Sequence, residues 1–231
     1  MLQFYDFEVF KYDWLVVIID PEAQTITPIV NDSDALIAYF EAHAKDIWVG
    51  YNNNHYDQYI AKGIMLGMNP KEISDYIIRD DKPGYRYSGL FRKINMINFD
   101  VMLRVDTGLK SLEGFMGENI KETSVDFNID RKLTDKEIQE TIKYCIWDVE
   151  NTIKVFLNRI GEFNAAMGLV KIFNLPLSYL GKTGAQRVAK ILGGRGQTFT
   201  DEFEFEIAPT LRLKKYKAVE NWFRNPENHN Y

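Results

Sequence analysis

The chain is poor in cysteine and histidine and has no long apolar run. A single cysteine, Cys145, among 231 residues excludes a disulfide framework and is typical of a reducing compartment. With three histidines besides that cysteine, no Cys/His cluster of the kind that binds zinc is expected. No secretory signal or membrane-spanning stretch is recognisable, so we expect no membrane partner and a cytoplasmic location.

An excess of positive charge is also missing, since the formal net charge is −5. Residues 1–160 carry a net charge of −8, whereas residues 161–231 carry +3. An acidic front part is typical of a site that concentrates metal ions. It also predicts weak binding of nucleic acid without metal, because phosphates would face uncompensated carboxylates. The hydrophobic fraction of 45% is enough for one large domain, or a domain with an appendage.

Periodicity predicts an α/β chain that begins with three strands. The strands are expected at residues 2–10, 14–19, 25–30, 47–51 and 94–100. Short connections between the first three favour an antiparallel meander. Thr134 and Glu137 form a capping box ahead of a long helix, and residues 202–207 alternate as a late strand.

Three short acidic motifs follow one another along this predicted fold. They are Asp6-Phe7-Glu8 in the first strand, the run from Asn52 to Asp57, and Tyr144 to Asp148 in the long helix. Each alone is weak, since chance gives about five acid-x-acid pairs at this composition. As an ordered set they predict four carboxylates converging on a pair of divalent cations, a standard device for cutting phosphodiester bonds.

Local geometry supports the set, although each member also has a structural explanation. Strand alternation places Asp6 and Glu8 on one face, and helical spacing stacks Tyr144 and Asp148. Asp6 and Glu8 also fit charges on an edge strand, where they would prevent pairing with another sheet. Asp57 also fits a first-turn acid facing a helix dipole, and the helical pair also fits an exposed surface. Cys145 is expected to pack as a small hydrophobic residue.

As a set, the motifs resemble those of the DEDD superfamily of 3′–5′ exonucleases, in its tyrosine subclass. Asp6 and Glu8 match the first motif, Asp57 the second, and Tyr144 with Asp148 the third. The resemblance covers residues 1–160. It implies a ribonuclease H-like α/β fold with a mixed central sheet, three antiparallel strands first, flanked by helices. Residues 161–231 would then be a small helical and strand extension.

The chain is also similar to proofreading domains of family-B DNA polymerases, especially phage protein-primed ones. The run from Gly50 to Asp57 resembles their second motif, although the spacing from Asn53 also fits family-A domains. Leu109-Lys110-Ser111-Leu112 resembles a motif that binds the DNA strand. Lys121 resembles the catalytic lysine of that group, with Ser124 where a hydrophobic residue is usual.

Residues 208–211 resemble the link that precedes a polymerase palm. A polymerase domain, in the same or a separate chain, is therefore an expected partner, and residues 161–231 would lead toward it. If the chain is phage-encoded, the location would be the host cytoplasm.

The resemblance also implies the roles of the site residues. Asp6 would bridge two Mg²⁺ or Mn²⁺ ions, Glu8 and Asp148 would hold the first, and Asp57 would place the second through water. Tyr144 would orient the attacking water. The substrate would be a single-stranded DNA 3′ end, contacted by stacking and polar side chains. The candidate contacts are Phe7, Phe10, Asn52, Asn53, Tyr56 and Leu109.

Two other functions remain open on the sequence alone. One is a nucleic-acid binding or scaffolding module without necessary catalysis, and the other is the same chemistry on RNA. Residues 80–93 interleave basic and aromatic side chains, which fits a nucleic-acid-facing loop or a solvated hairpin. These basic and aromatic residues are Lys82, Tyr85, Arg86, Tyr87, Phe91, Arg92 and Lys93.

Overall fold

The computed structural model describes residues 1–102, 107–117, 123–194, 210 and 212–229. The chain divides into two compact units, Met1–Arg187 and Val188–Tyr231. The strands are β1 (Leu2–Val9), β2 (Trp14–Asp20), β3 (Thr25–Val30), β4 (Ile47–Gly50) and β5 (Asn98–Asp100). The α-helices are α1 (Ser33–Ala42), α2 (Asp57–Met65), α3 (Pro70–Ile78), α4 (Leu109–Phe115), α5 (Asp135–Asn158), α6 (Ile160–Ile172), α7 (Gly184–Ile191) and α8 (Lys217–Arg224).

The first unit is built on a five-stranded mixed sheet of order β3-β2-β1-β4-β5. Strands β1, β2 and β3 pair antiparallel, whereas β4 runs parallel to both β1 and β5. The predicted α/β class, with three antiparallel strands first and helices around the sheet, is confirmed. This order places β1 in the centre of the sheet, so the acids of its sequence lie in the interior of the unit.

The two faces of the sheet are covered by different helices. Phe4 and Val17 belong to the cluster that contains Val149 and Phe156 of α5. The odd-numbered side chains of β1, such as Tyr5, pack in a second cluster with residues of α1, α2 and α3. Asp6 pairs with Val17 and Glu8 with Leu15 in the β1–β2 ladder, so both acids share the α5 face. This confirms the predicted alternation of β1.

Helix α5 begins as the sequence predicts. The Thr134 hydroxyl accepts from the Glu137 amide at 3.3 Å, and Glu137 accepts from the Thr134 amide at 2.8 Å. Such a cap contributes about 1 kcal/mol. The cap fixes where the helix starts and hence which of its residues face β1. Cys145 is fully buried among them, as expected.

The structure differs from the sequence prediction at two places before α4. The segment 80–93 forms two 3₁₀-helices, Gly84–Arg86 and Gly89–Lys93, rather than a hairpin. β5 is shorter than predicted because, among the strands that the structure describes, it pairs with β4 alone, through Trp48, Val49 and Gly50. Lys121, the predicted late strand at 202–207 and most of the segment 208–211 lie outside the described residues.

Residues 160–187 belong to the first compact unit. α6 contributes Phe163, Ala166 and Val170 to the same cluster as Phe4. A further 3₁₀-helix, Leu177–Gly181, adds the buried Leu180. A functional boundary at residue 160 stays a prediction.

The second unit contains α8 and the 3₁₀-helix Pro226–His229 among its described residues. In α8, Arg224 donates to Glu220 one turn earlier at 2.9 Å. Among the helices that the structure describes, none has the length and apolar character needed to span a membrane.

Candidate active site

The centre of the candidate site is the pair of acids on β1. Oxygen atoms of Asp6 and Glu8 and the sulfur of Cys145 all lie within 4.8 Å of one another. Cys145 Sγ lies 3.4 Å from the Asp6 carbonyl oxygen and 3.7 Å from its Oδ2. Burial, followed by the charge of Asp6, raises the pKa of the Cys145 thiol. The thiol therefore stays protonated and donates to Asp6, which leaves the two carboxylates as the groups of this cluster that could hold a metal ion.

Asp57 reaches the same place from the start of α2. Its Oδ1 accepts from the Phe7 amide of β1 at 3.1 Å, and its side chain is 3% exposed. Because the Phe7 amide lies between the two β1 acids in sequence, this hydrogen bond holds the second motif against the first. Asp57 is thus both the first residue of helix α2 and the acid that contacts β1.

Helix α5 supplies Asp148 and Tyr144, and a lysine of α4 joins them. Lys110 Nζ forms an ion pair with Asp148 Oδ1 and lies 4.7 Å from the centre of the Tyr144 ring. It also lies 3.4 Å from the fully buried Glu113, which accepts from Asn151 at 2.9 Å. Lys110 belongs to the segment that resembles a motif for binding a DNA strand, but no local signal in the sequence predicted its contact with Asp148.

The raised pKa values of Asp6, Glu8 and Asp57 indicate that the four carboxylates repel one another within one site. Burial, followed by the charge of Asp148, raises the pKa of Asp6 from 3.8 to about 7. Burial and then the charges of Asp6, Asp148 and Asp57 raise the pKa of Glu8. Burial, followed by Asp6, raises that of Asp57. Lys110 opposes these shifts at Asp6 and Glu8.

Divalent cations fit this set of groups. Carboxylate oxygens are the ligands that Mg²⁺ and Mn²⁺ prefer, and a divalent charge would offset the repulsion among Asp6, Glu8 and Asp148. Asp57 and Asp148 lie outside the tight group of Asp6 and Glu8. Their contribution would therefore be to a second position or through water.

This repulsion predicts the effect of Glu8→Gln on stability. The change keeps the volume but removes a charge that faces three other carboxylates, so in chelator we expect a higher melting temperature. A gain of 1 kcal/mol corresponds to about 2–4 °C for a domain of this size. The variant should also lose most of the stabilisation that Mg²⁺ gives the wild type. Glu41→Gln, at an exposed position of α1, is the control; equal melting curves for all three proteins would contradict repulsion at Glu8.

Asp100, which the sequence did not single out, fixes the loop of the second motif. Its carboxylate accepts from the amides of Asn52, Asn54 and Met102, each at 2.9 Å. Asn52 has a φ of 60°, a left-handed conformation that asparagine tolerates. A carboxylate at the end of β5 therefore orders the backbone that leads into Asp57.

A cavity of about 460 Å³ opens over the acids of β1 and α2. Of the residues predicted to contact DNA, it is lined by Phe7, Asn52 and Tyr56. The Tyr56 hydroxyl donates to Ser74 at 2.9 Å, which fixes the ring at the cavity wall. Asp81 adds a further acid to the lining.

The other three predicted DNA contacts do not line this cavity. Phe10 is 1% exposed and stacks on Phe127 with ring centres 5.0 Å apart. Asn53 is fully buried and donates to the Phe99 carbonyl at 3.2 Å. Leu109 packs against the core at the start of α4. Phe10 and Leu109 thus pack in the interior, and Asn53 forms a hydrogen bond to the backbone of β5. Their contact with DNA stays a prediction.

No family model, curated protein or solved structure matches this chain. Function is therefore inferred from the residues of the site itself.

Proposed function

We propose that the chain is a metal-dependent 3′–5′ exonuclease of the DEDD type, tyrosine subclass, on a ribonuclease H-like fold. The observation that supports this most strongly is the convergence of Asp6, Glu8, Asp57 and Asp148 from β1, α2 and α5. Four acids that repel one another, with Glu8, Asp57 and Asp148 buried and Asp6 half-buried, lower the stability of a domain. Their presence in one place therefore favours a role in binding cations over a structural one.

In this proposal the chain's own groups hold the cations and position water. When bound, two divalent ions would supply charge stabilisation for the attacking and leaving oxygens of a phosphodiester. Asp6 and Glu8 would hold them from β1, while Cys145 orients the Asp6 carboxylate by donation. Tyr144, whose pKa is raised by burial and by Asp148, stays neutral and donates to the attacking water.

Lys110 balances the charge of the site in the absence of metal. Its ion pair with Asp148 and its position over the Tyr144 ring place a cation beside the proposed water site. The role that the resemblance gives to Lys121 falls on a residue outside the described ranges. Lys110 contacts both Asp148 and the Tyr144 ring of the third motif.

Tyr144→Phe is expected to lower the rate about 10- to 1000-fold, as for loss of one positioned donor. The ring and its contact with Lys110 remain, so folding should be unaffected. Single-turnover digestion of an end-labelled oligonucleotide measures the effect. Tyr12→Phe, which removes an exposed hydroxyl that donates to Asp130, should leave the rate unchanged. A Tyr144→Phe enzyme as fast as the wild type would remove the hydroxyl from the mechanism.

The proposed substrate is the 3′ end of single-stranded or mismatched DNA, as in the proofreading part of a phage-type polymerase. A paired end must fray before its last nucleotide reaches acids that lie inside a cavity. We therefore expect single-stranded ends to be cut fastest, mismatched ends more slowly and blunt paired ends slowest. Contacts by stacking and to phosphate predict little sequence preference and weaker binding as salt rises.

Digestion of the three end-labelled DNA forms under one metal and salt condition measures this order. Equal rates on all three, or a preference for paired ends, would contradict it. A matched RNA oligonucleotide in the same assay tests the second candidate substrate. Faster digestion of RNA than of DNA would move the proposal to RNA.

A further inference from the structure

A second and larger cavity lies beside the acidic one and has the opposite charge character. Its volume is about 640 Å³, and His55 lines both cavities. Its described lining contains Lys62, Arg92 and Lys182 but no aspartate or glutamate. In a chain of net charge −5, three cations without a lining carboxylate mark a place suited to an anion.

Lys62 is the most unusual of these cations because it is buried. Its side chain lies on α2, is 9% exposed and donates to Gln58 at 2.9 Å. Among the described residues no carboxylate lies within ion-pair distance of Lys62 or of Lys182. Burial and then the charge of Lys182 lower the pKa of Lys62 to about 8. The ammonium is thus still mostly protonated at pH 7, and a buried, unpaired charge is costly unless an anion compensates it.

A second buried polar side chain lines the same cavity. Asn98 of β5 is 6% exposed, and its Oδ1 accepts from the Tyr5 hydroxyl at 3.2 Å. Its Nδ2, by contrast, has no hydrogen-bond partner among the described residues. Asn98 therefore adds a buried polar side chain to the lining, while its Nδ2 is itself closed to solvent.

Aromatic side chains also line this cavity, and Lys62 Nζ lies 5.9 Å from the centre of the Tyr59 ring. Tyr59 and Phe91 lie with ring centres 5.5 Å apart, and Tyr85 is 59% exposed at the rim. Tyr59 also packs on the backbone of Gly84, where a Cβ would lie 2.2 Å from the ring. Phe91, Arg92 and Tyr85 belong to the segment 80–93, whose basic and aromatic residues do not line the acidic cavity.

We propose that this cavity binds a nucleoside phosphate, with the phosphate at Lys62 and Lys182 and the base against the aromatic wall. The cations recognise the phosphate, and the rim ring of Tyr85 offers a face on which a base can stack. The ligand is either a free nucleotide or one nucleotide of a strand, since both present the same chemistry. The inference does not depend on the proposed nuclease activity.

The test is equilibrium binding in excess chelator, where cleavage does not occur. The probes are dAMP, adenosine, pyrophosphate and a trinucleotide of deoxyadenosine. The binding of each probe to the full chain is measured by calorimetry. We expect dAMP or the trinucleotide to bind and adenosine to bind at least about tenfold more weakly, because it lacks the charged acceptor. Binding of dAMP identifies a free nucleotide as sufficient, and binding of the trinucleotide alone identifies a strand.

Variants separate this site from the acidic one. Lys62→Met and Lys182→Gln should each weaken nucleotide binding about tenfold. Lys182 is exposed, so Lys182→Gln is expected to fold normally. It therefore tests the site even if Lys62→Met, at a buried position, does not fold. Tyr85→Ala should weaken dAMP about fivefold but leave pyrophosphate unaffected. Lys45→Gln, at an exposed position that does not line the cavity, is the matched control.

Asp6→Asn, which disables the proposed nuclease, should bind the nucleotide probes as the wild type does. The inference would be overturned if neither dAMP nor the trinucleotide bound at millimolar concentration. It would also be overturned if adenosine bound as well as dAMP, or if Lys182→Gln and Lys62→Met both bound as tightly as the control.

Discussion

Asp6→Asn is expected to lower the exonuclease rate by at least about 1000-fold, equivalent to about 4 kcal/mol of activation free energy. Asp6 lies at the centre of the site, within 4.8 Å of Glu8, and interacts electrostatically with Asp148 and Asp57. Asparagine keeps the size of the side chain and removes the charge that a cation requires. The loss should therefore come from metal binding and not from misfolding.

The rate is measured by single-turnover digestion of an end-labelled single-stranded oligonucleotide in Mg²⁺. Asp34→Asn, an exposed acid in the first turn of α1, is the matched control and should retain full activity. A melting curve for each protein separates loss of activity from loss of fold. If Asp6→Asn and Asp34→Asn digest the oligonucleotide equally fast, Asp6 is not a catalytic metal ligand.

Asp148→Asn is the second substitution with a large expected effect, a loss of at least about 100-fold or about 3 kcal/mol. Asp148 contributes the negative charge of α5 to the site, but it lies outside the tight group formed by Asp6 and Glu8. The substitution also breaks the ion pair of Asp148 with Lys110, which keeps its contact with Glu113 at 3.4 Å. Affinity for Mn²⁺ should fall together with the rate.

Glu150→Gln, two residues away on the exposed surface of α5, provides the control for Asp148→Asn. Titration with Mn²⁺ measures affinity independently of digestion. Unchanged Mn²⁺ affinity with a reduced rate would show that Asp148 acts on the substrate or on Lys110 instead of on the metal. An unchanged rate would exclude it from the site.

Local patterns in the sequence predicted the parts of this site that depend on neighbours along the chain. The alternation of β1 was enough to place Asp6 and Glu8 on one face, because a strand has a period of two. The capping box at Thr134 fixed the start of α5, and helical spacing then related Tyr144 to Asp148. The meander of the first three strands followed from their short connections.

The contacts between distant segments had no such signal. The Asp100 carboxylate holds the loop at Asn52 and Asn54 across 46 or more residues, and Lys110 reaches Asp148 across 38. Both contacts depend on where β5 and α4 pack, which periodicity does not specify. β5 itself is shorter than its apolar sequence suggests, because among the described strands it pairs with β4 alone.

The cationic cavity illustrates the same limit. The basic and aromatic pattern of residues 80–93 indicated a binding surface but did not distinguish it from a solvated hairpin. The structure places part of that segment against Lys62 of α2 and Lys182 after the 3₁₀-helix Leu177–Gly181. A buried ammonium without a carboxylate becomes recognisable only once these segments are folded together.

The most direct measurement for the proposed nuclease is digestion of a 5′-labelled single-stranded DNA oligonucleotide by the wild-type chain, with Mg²⁺ and with excess chelator. In Mg²⁺ we predict a ladder that shortens from the 3′ end one nucleotide at a time, and in chelator we predict no digestion, with recovery when Mg²⁺ is added back. Full activity in chelator, or an intact oligonucleotide in Mg²⁺ and in Mn²⁺, would contradict a metal-dependent exonuclease built on Asp6, Glu8, Asp57 and Asp148.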